Sequence, residues 1–250
     1  MAHNGVGMTG AAVLAARASL TGGAGRVYLV PLGANGPDTL RWDPQTPELM
    51  LRSPALLTPE ALSAAGVVCG CGGGEAVASV LPAVIAHSRH LVLDADALNH
   101  LAADAVLREA VRQRGVGGRP TVITPHPLEA ARLLGTDTAQ VQAQRLQAAQ
   151  TLADDLHCVC VLKGSGSVIA TPGQVPVVNP TGNGRLATAG TGDVLAGLLG
   201  AALAAATHDA DIPDRVCAAV HQHGHWADHW DDALDGSLTA DRLARRLHAF

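Results

Sequence analysis

Apolar and polar positions along this chain repeat with two different periods. Residues 10–20 (Gly-Ala-Ala-Val-Leu-Ala-Ala-Arg-Ala-Ser-Leu) set apolar side chains three and four apart and predict a helix, ended by Gly22-Gly23. Residues 26–30 follow as a strand, and residues 33–59, rich in Pro, Asp and Asn, read as an irregular connection. Thr58-Pro59-Glu60 carries the signature of a helix start, with a hydroxyl before a proline in the first turn. Short apolar runs at 66–69, 90–94, 121–124 and 158–162 predict strands, and residues 75–88, 97–114, 128–134 and 138–156 predict the helices among them. Two further short strands are expected at 167–170 and 175–178, then helices at 192–206, 214–230 and 239–248. Strands that are near-continuous Val, Leu and Ile runs, alternating with helices, belong to a sheet covered on both faces. The expected fold is one α/β domain over residues 1–250, three layers deep in α/β/α order, around a largely parallel central sheet. Such sheets bind ligands at the carboxyl ends of their strands.

Composition narrows the function. Hydrophobic residues make up 48% and aromatics 2%, so the core is packed by aliphatic and small side chains. A net charge of −5 and the lack of aromatic stacking platforms argue against nucleic-acid binding. The chain has no unbroken apolar run of membrane-spanning length and no signal-peptide layout at its first residues, so a cytoplasmic protein without membrane attachment is expected. The odd count of cysteines (Cys69, Cys71, Cys158, Cys160, Cys217) speaks against a disulfide framework. Both Cys-x-Cys pairs lie in apolar runs and are expected as small core residues rather than metal ligands.

The strongest chemical signal is Gly190-Thr191-Gly192-Asp193 running into Val194, Leu195, Leu198, Leu199 and Ala202 at helical spacing. A glycine turn at a helix start leaves free N–H groups and the positive end of the helix dipole facing an anion. Asp193 stands in that first turn, where a carboxylate can take the proton of an attacking hydroxyl; the alternative is a plain helix cap. Lys163-Gly164-Ser165-Gly166-Ser167 ends a strand and suits either a nucleotide or a simple hairpin turn. His221, His225 and His229 share one helical face and could bind a metal, although a surface or subunit-contact face is the preferred reading for the cluster they form with His223.

Ala187 to Gly197 resembles the signature of the ribokinase-like superfamily, and within it the ADP/ATP-dependent NAD(P)H-hydrate dehydratases. The resemblance extends to Gly7-Met8-Thr9-Gly10-Ala11-Ala12, Asp94-Ala95-Asp96-Ala97-Leu98-Asn99, Thr124-Pro125-His126-Pro127-Leu128-Glu129 and Leu162-Lys163-Gly164. It implies a ribokinase-like fold and the repair of NADH and NADPH hydrated across C5–C6 of the nicotinamide ring. The 6-hydroxyl would be phosphorylated by ADP or ATP and the phosphate then eliminated. Asp193 would be the base and would touch substrate. Gly190, Thr191 and Gly192 would hold the transferring phosphoryl group, and Lys163, Gly164, Ser165, Gly166 and Ser167 the nucleotide. Ala11, Gly72 and His126 would meet the hydrated cofactor. Mg²⁺ would accompany the nucleotide, with no metal cage of protein side chains. Asp94 and Asp96 are expected to end a strand and hold neighbouring loops, and Asn99 to cap or touch ligand. Glu129 is left between a role through Mg²⁺ and water and a helix-start role.

Three departures from the family pattern stand out. No strand is expected before Gly7; Gly70-Cys71-Gly72-Gly73-Gly74 replaces the usual Gly-Pro-Gly-Leu-Gly; and Gly184-Arg185-Leu186 brings a charge near the anion turn. A homotetramer and a functional link to a separate NAD(P)H-hydrate epimerase are further expectations. The competing readings are a vitamin-precursor kinase of the hydroxyethylthiazole kinase type and a catalytically silent nucleotide-binding homologue.

Overall fold

The computed structural model describes residues 8–32, 43 and 45–250; Gly7, the residues before it, and residues 33–42 and 44 of the expected irregular connection lie outside the described residues. The central sheet has six strands: β3 (Gly66–Cys69), β4 (His90–Leu93), β5 (Thr121–Ile123), β6 (Val159–Leu162), β7 (Val168–Ala170) and β8 (Val177–Val178), in that spatial order. The first four are parallel and the last two antiparallel. A separate pair, β1 (Tyr28–Leu29) and β2 (Met50–Leu51), is parallel, so the stretch read as irregular contains a short strand. Two residues with no alternation give no local strand signal, and the pairing partner lies 22 positions away in register (Tyr28 with Met50).

Side-chain alternation divides the core into two layers. Val92, Val122, Val159 and Val161 face α1 (Thr9–Thr21), α9 (Thr191–Ala204), α10 (Ile212–Asp228) and α12 (Ala240–Arg246). Leu91, Leu93, Ile123, Cys158, Cys160 and Leu162 face the opposite layer, which includes α3 (Leu81–His87), α4 (Asp96–Ala103), α6 (Pro127–Leu134) and α8 (Arg145–Leu156). Cys158 and Cys160 are thus core residues on one face, as their spacing predicts.

Three expected helices are broken. The 75–88 stretch is a 3₁₀ segment (Gly74–Ser79) followed by α3, parted at Val80. The 97–114 stretch is α4 and then α5 (Ala105–Val116), because the Asp104 carboxylate caps the second helix by accepting from the Val106 and Leu107 amides. Residues 138–156 are α7 (Thr138–Ala143) and α8, parted at Gln144. Arg114, fully buried, donates to Thr121 Oγ1 and to the carbonyls of Ile85 and Arg89, and so pins α5 to the sheet with no carboxylate partner among the described residues.

Helices α1 and α9 pack backbone to backbone at Gly197, where an added Cβ would lie 2.0 Å from the Ala15 carbonyl oxygen. Gly197→Ala is therefore expected to cost about 1–3 kcal/mol by overpacking, read as a lower urea midpoint with unchanged slope.

Candidate active site

The site forms at the carboxyl ends of β3 to β6, where three strand-to-helix connections meet the turn from β6 into β7. After β4, Ala95 is held at φ 46°, and α4 begins at Asp96. After β3, Gly70 takes φ 117°, and an added Cβ would stand 1.8 Å from the Asp94 carbonyl oxygen. Only glycine lets these two connections interlock. Asp96 completes the lock, its amide bonded to the Gly70 carbonyl and its carboxylate accepting from the Gly74 amide at 2.7 Å. That is the loop-holding role its position suggests.

Asp94, 2% exposed, is the hub. Its Oδ1 accepts from Thr124 Oγ1 at 2.7 Å and from Lys163 Nζ at 2.7 Å, and its Oδ2 lies 3.9 Å from the Cys71 sulfur. Burial works against the Lys163 ammonium, but the carboxylates of Asp94 and Glu129 outweigh it and raise its pKa. The ammonium also reaches the anion turn: an added Cβ on Gly192 would lie 3.4 Å from Nζ. Lys163 therefore joins the β6 connection to the start of α9.

Gly190, at φ 88°, turns the chain into α9, and Asp193 sits in the first turn. Among the described residues the amides of Gly192 and Asp193 have no protein acceptor, whereas the Thr191 amide points back to the Thr188 carbonyl at 3.3 Å. Thr191 is buried, and its hydroxyl also bonds the carbonyls of Leu186 and Thr188, so its side chain braces the turn from behind. Burial and the Asp94 charge push the Asp193 carboxyl above its ordinary pKa, partly offset by Cys71 and Lys163.

Cys71 is a core residue, as expected, and its sulfur also lies against the carboxylates. Its sulfur and an oxygen from each of Asp94 and Asp193 are mutually within 4.8 Å. Burial drives its thiol well up, so it stays protonated beside them. The next residue, Gly72 at φ 68°, contacts the start of α1, where an added Cβ would lie 3.0 Å from the Ala11 Cβ. Gly72 thus ties the Cys71 loop to the start of α1 at Ala11.

On the other flank, His126 caps α6: its Nδ1 accepts from the Leu128 and Glu129 amides, and Glu129 Oε2 accepts from the His126 amide at 2.8 Å. This reciprocal cap assigns Glu129 a helix-start role. Burial and the nearby Lys163 charge lower the His126 pKa, leaving a neutral ring with its proton on Nε2, 3.3 Å from Glu129 Oε1. Asn99 accepts from Arg132 Nη1 at 2.6 Å, so its side chain joins α4 to α6. The Gly164-to-Ser167 turn is held by Arg145, whose guanidinium donates to the carbonyls of Leu162 and Gly166. Arg185, beside the anion turn in sequence, pairs with Asp232 at 2.7 Å.

One supporting residue has only a weak sequence signal. His223, inside the cluster read as a surface face, is buried, and its Nε2 donates to the Thr191 carbonyl at 2.9 Å. Burial lowers its pKa from 6.5 to about 4. Unfolded chains therefore take up a proton below pH 6.5 that the fold refuses, and stability drains away as pH falls towards about 4. The loss is expected to reach about 3 kcal/mol, and His223→Gln should flatten this part of the pH–melting curve.

A largely parallel sheet with a helix start whose amides lack protein acceptors, and a carboxylate in its first turn, defines the class. The fold is that of a ribokinase-like superfamily protein from Enterococcus faecalis (TM-score 0.72, 25% identity, covering 96% of this chain and 81% of that one). The model of the NAD(P)H-hydrate dehydratase family matches residues 5–248, and the chain belongs to that family. It is 40% identical over 227 residues to the ADP-dependent (S)-NAD(P)H-hydrate dehydratase of Neisseria meningitidis, covering 89% of this chain and 73% of the relative. It is also 40% identical over 209 residues to a bifunctional NAD(P)H-hydrate repair enzyme of Moorella thermoacetica, of which it spans 38% while 77% of this chain is covered. Among solved structures, the Bacillus subtilis ADP/ATP-dependent NAD(P)H-hydrate dehydratase co-crystallized with ATP/Mg²⁺ matches with TM-score 0.71 and 28% identity, over 95% of this chain and 82% of that one. Hydroxyethylthiazole kinase from Pyrococcus horikoshii shares the fold alone, at TM-score 0.55 and 13% identity.

Proposed function

We propose that this chain dehydrates (6S)-hydrated NADH and NADPH with an adenine nucleotide as phosphoryl donor. The observation that carries the reading is the arrangement around Asp193: a half-buried carboxylate beside two amides free of protein acceptors, with the Lys163 ammonium next to them. In this mechanism Asp193 accepts the proton of the 6-hydroxyl as its oxygen attacks the terminal phosphorus, and the shortened nucleotide leaves. The amides of Gly192 and Asp193 and the turn at Gly190 and Thr191 steady the charge on the transferring group. Phosphate then departs from C6 and a proton from C5, restoring the double bond. Ala11, Gly72 and His126 line the nicotinamide side, and Lys163 with the Gly164, Ser165, Gly166 and Ser167 turn holds the nucleotide side.

Mg²⁺ enters this scheme with the nucleotide. Among the described residues only Cys71, Asp94 and Asp193 form a group of three metal-ligating side chains, and a thiol plus a lysine-paired carboxylate does not suit a hard, oxygen-seeking ion. The same reading makes the protein a cytoplasmic homotetramer whose substrate pool is replenished by an epimerase. The curated names of its relatives, one ADP-dependent and others bifunctional repair enzymes, support the substrate and the donor.

The test is recovery of the reduced-nicotinamide absorbance band when purified protein meets the hydrated cofactor with ADP or, separately, ATP. Recovery with either nucleotide supports the proposal and identifies the donor. Accumulation of a stable phosphorylated product without recovery would instead assign a kinase.

A further inference from the structure

The face of α10 opposite its buried side carries His221, His225 and His229, one turn apart, and the proposed reaction uses none of them. The rings are not scattered: His225 and His229 have centroids 4.0 Å apart, and His221 stacks on His225 at 6.0 Å. The His229 Nδ1 lies 2.9 Å from the His225 carbonyl oxygen, which can only accept, so Nδ1 carries the proton and the Nε2 lone pair is free. That tautomer, set by a backbone carbonyl, is the one metal-bound histidines adopt. Among the described residues no group binds the ring nitrogens of His225 or His229 Nε2 from the protein side. The pair also sits on the last turn of a 17-residue helix, where unpaired carbonyls favour a cation.

We propose that His225 and His229 form a two-histidine binding site for a borderline transition-metal ion such as Zn²⁺, with His221, two turns from His229, outside it. Imidazole nitrogens suit Zn²⁺, Ni²⁺ and Cu²⁺, and two nitrogens each about 2 Å from one zinc stand about 3 Å apart, a spacing the tilted rings meet with small rotations. The neighbouring Asp228 is not a ligand: its carboxylate is taken by the Gly182 amide and by Asn183. The site is separate from the carboxylate group around Asp193.

The test is calorimetric titration of tag-free, chelator-stripped protein with Zn²⁺. Wild type should bind one ion, with affinity reduced about tenfold by His225→Gln or His229→Gln and unchanged by His221→Gln. The double variant His225→Gln/His229→Gln should lose the site while keeping its circular dichroism and melting temperature in chelator. Independently of any variant, Zn²⁺ should shift the ring ¹⁵N resonance of His229 Nε2. Ni²⁺ should also quench Trp226, whose ring stands edge-on to His225 at 5.8 Å. Unchanged binding in the double variant overturns the proposal. So does a site lost in Cys71→Ser and kept in the double variant, which would assign the ion to the buried group of Cys71, Asp94 and Asp193.

Discussion

Asp193→Asn is expected to abolish dehydration while the protein folds and binds nucleotide as before. Removing a positioned base lowers turnover by about 10²- to 10⁴-fold, and an amide of the same shape leaves the anion turn and Lys163 in place. Stability should move the other way. The Asp193 carboxyl is pushed up by burial and by Asp94, so the fold holds its proton over a range where the unfolded chain has released it. The contribution of such a group is present below the unfolded value and lost as pH rises through the folded one. At neutral pH the ionised Asp193 therefore opposes folding, and asparagine should raise the melting temperature. Activity of the wild type should fall on the acid side as Asp193 protonates, at a pH above the ordinary aspartate range. An inactive variant with a lower melting temperature and no nucleotide binding would mean that Asp193 is only a helix cap.

The second large effect is expected at Asp94. Its carboxylate neutralises Lys163 in a place where water hardly reaches, with side chains 2% and 19% exposed. Asp94→Asn removes the charge and leaves the ammonium buried with Glu129 and Asp193 as its remaining acidic neighbours. Breaking one side of such a pair costs about 3–5 kcal/mol, chiefly because the surviving charge is uncompensated. Asp94→Asn/Lys163→Met should regain part of that loss, since no charge is then stranded, but not activity, since Lys163 borders the phosphoryl position. A denaturant series on both single variants and the double variant checks the coupling. Losses that simply add would show that Asp94 and Lys163 do not depend on one another.

Local signals in the chain determined a good deal of this. Continuous apolar runs located the strands β4 to β6, because a strand buried on both faces needs no polar alternation. The glycine turn before Asp193 marked an anion-facing helix start, because Gly190 at φ 88° and an acidic first turn are local requirements. The family motifs likewise pointed to His126 and Lys163 as ligand contacts, but they gave Asp94 only a loop-holding role, and its bonds to Thr124 and Lys163 come from the tertiary structure. The tertiary structure decided what local sequence does not encode. Spacing of four showed that His221, His225 and His229 share a face, but the packing of α10 on α9 decided that His223 points inward to Thr191. Cys71 reads as one more small apolar residue until the loops after β3 and β4 interlock and bring it to two carboxylates. Asp104 breaks a helix that its neighbours would continue, since its side chain bonds two amides at once. Burial, ion pairing and pKa are properties of what surrounds a residue, and here most of those surroundings come from distant parts of the chain.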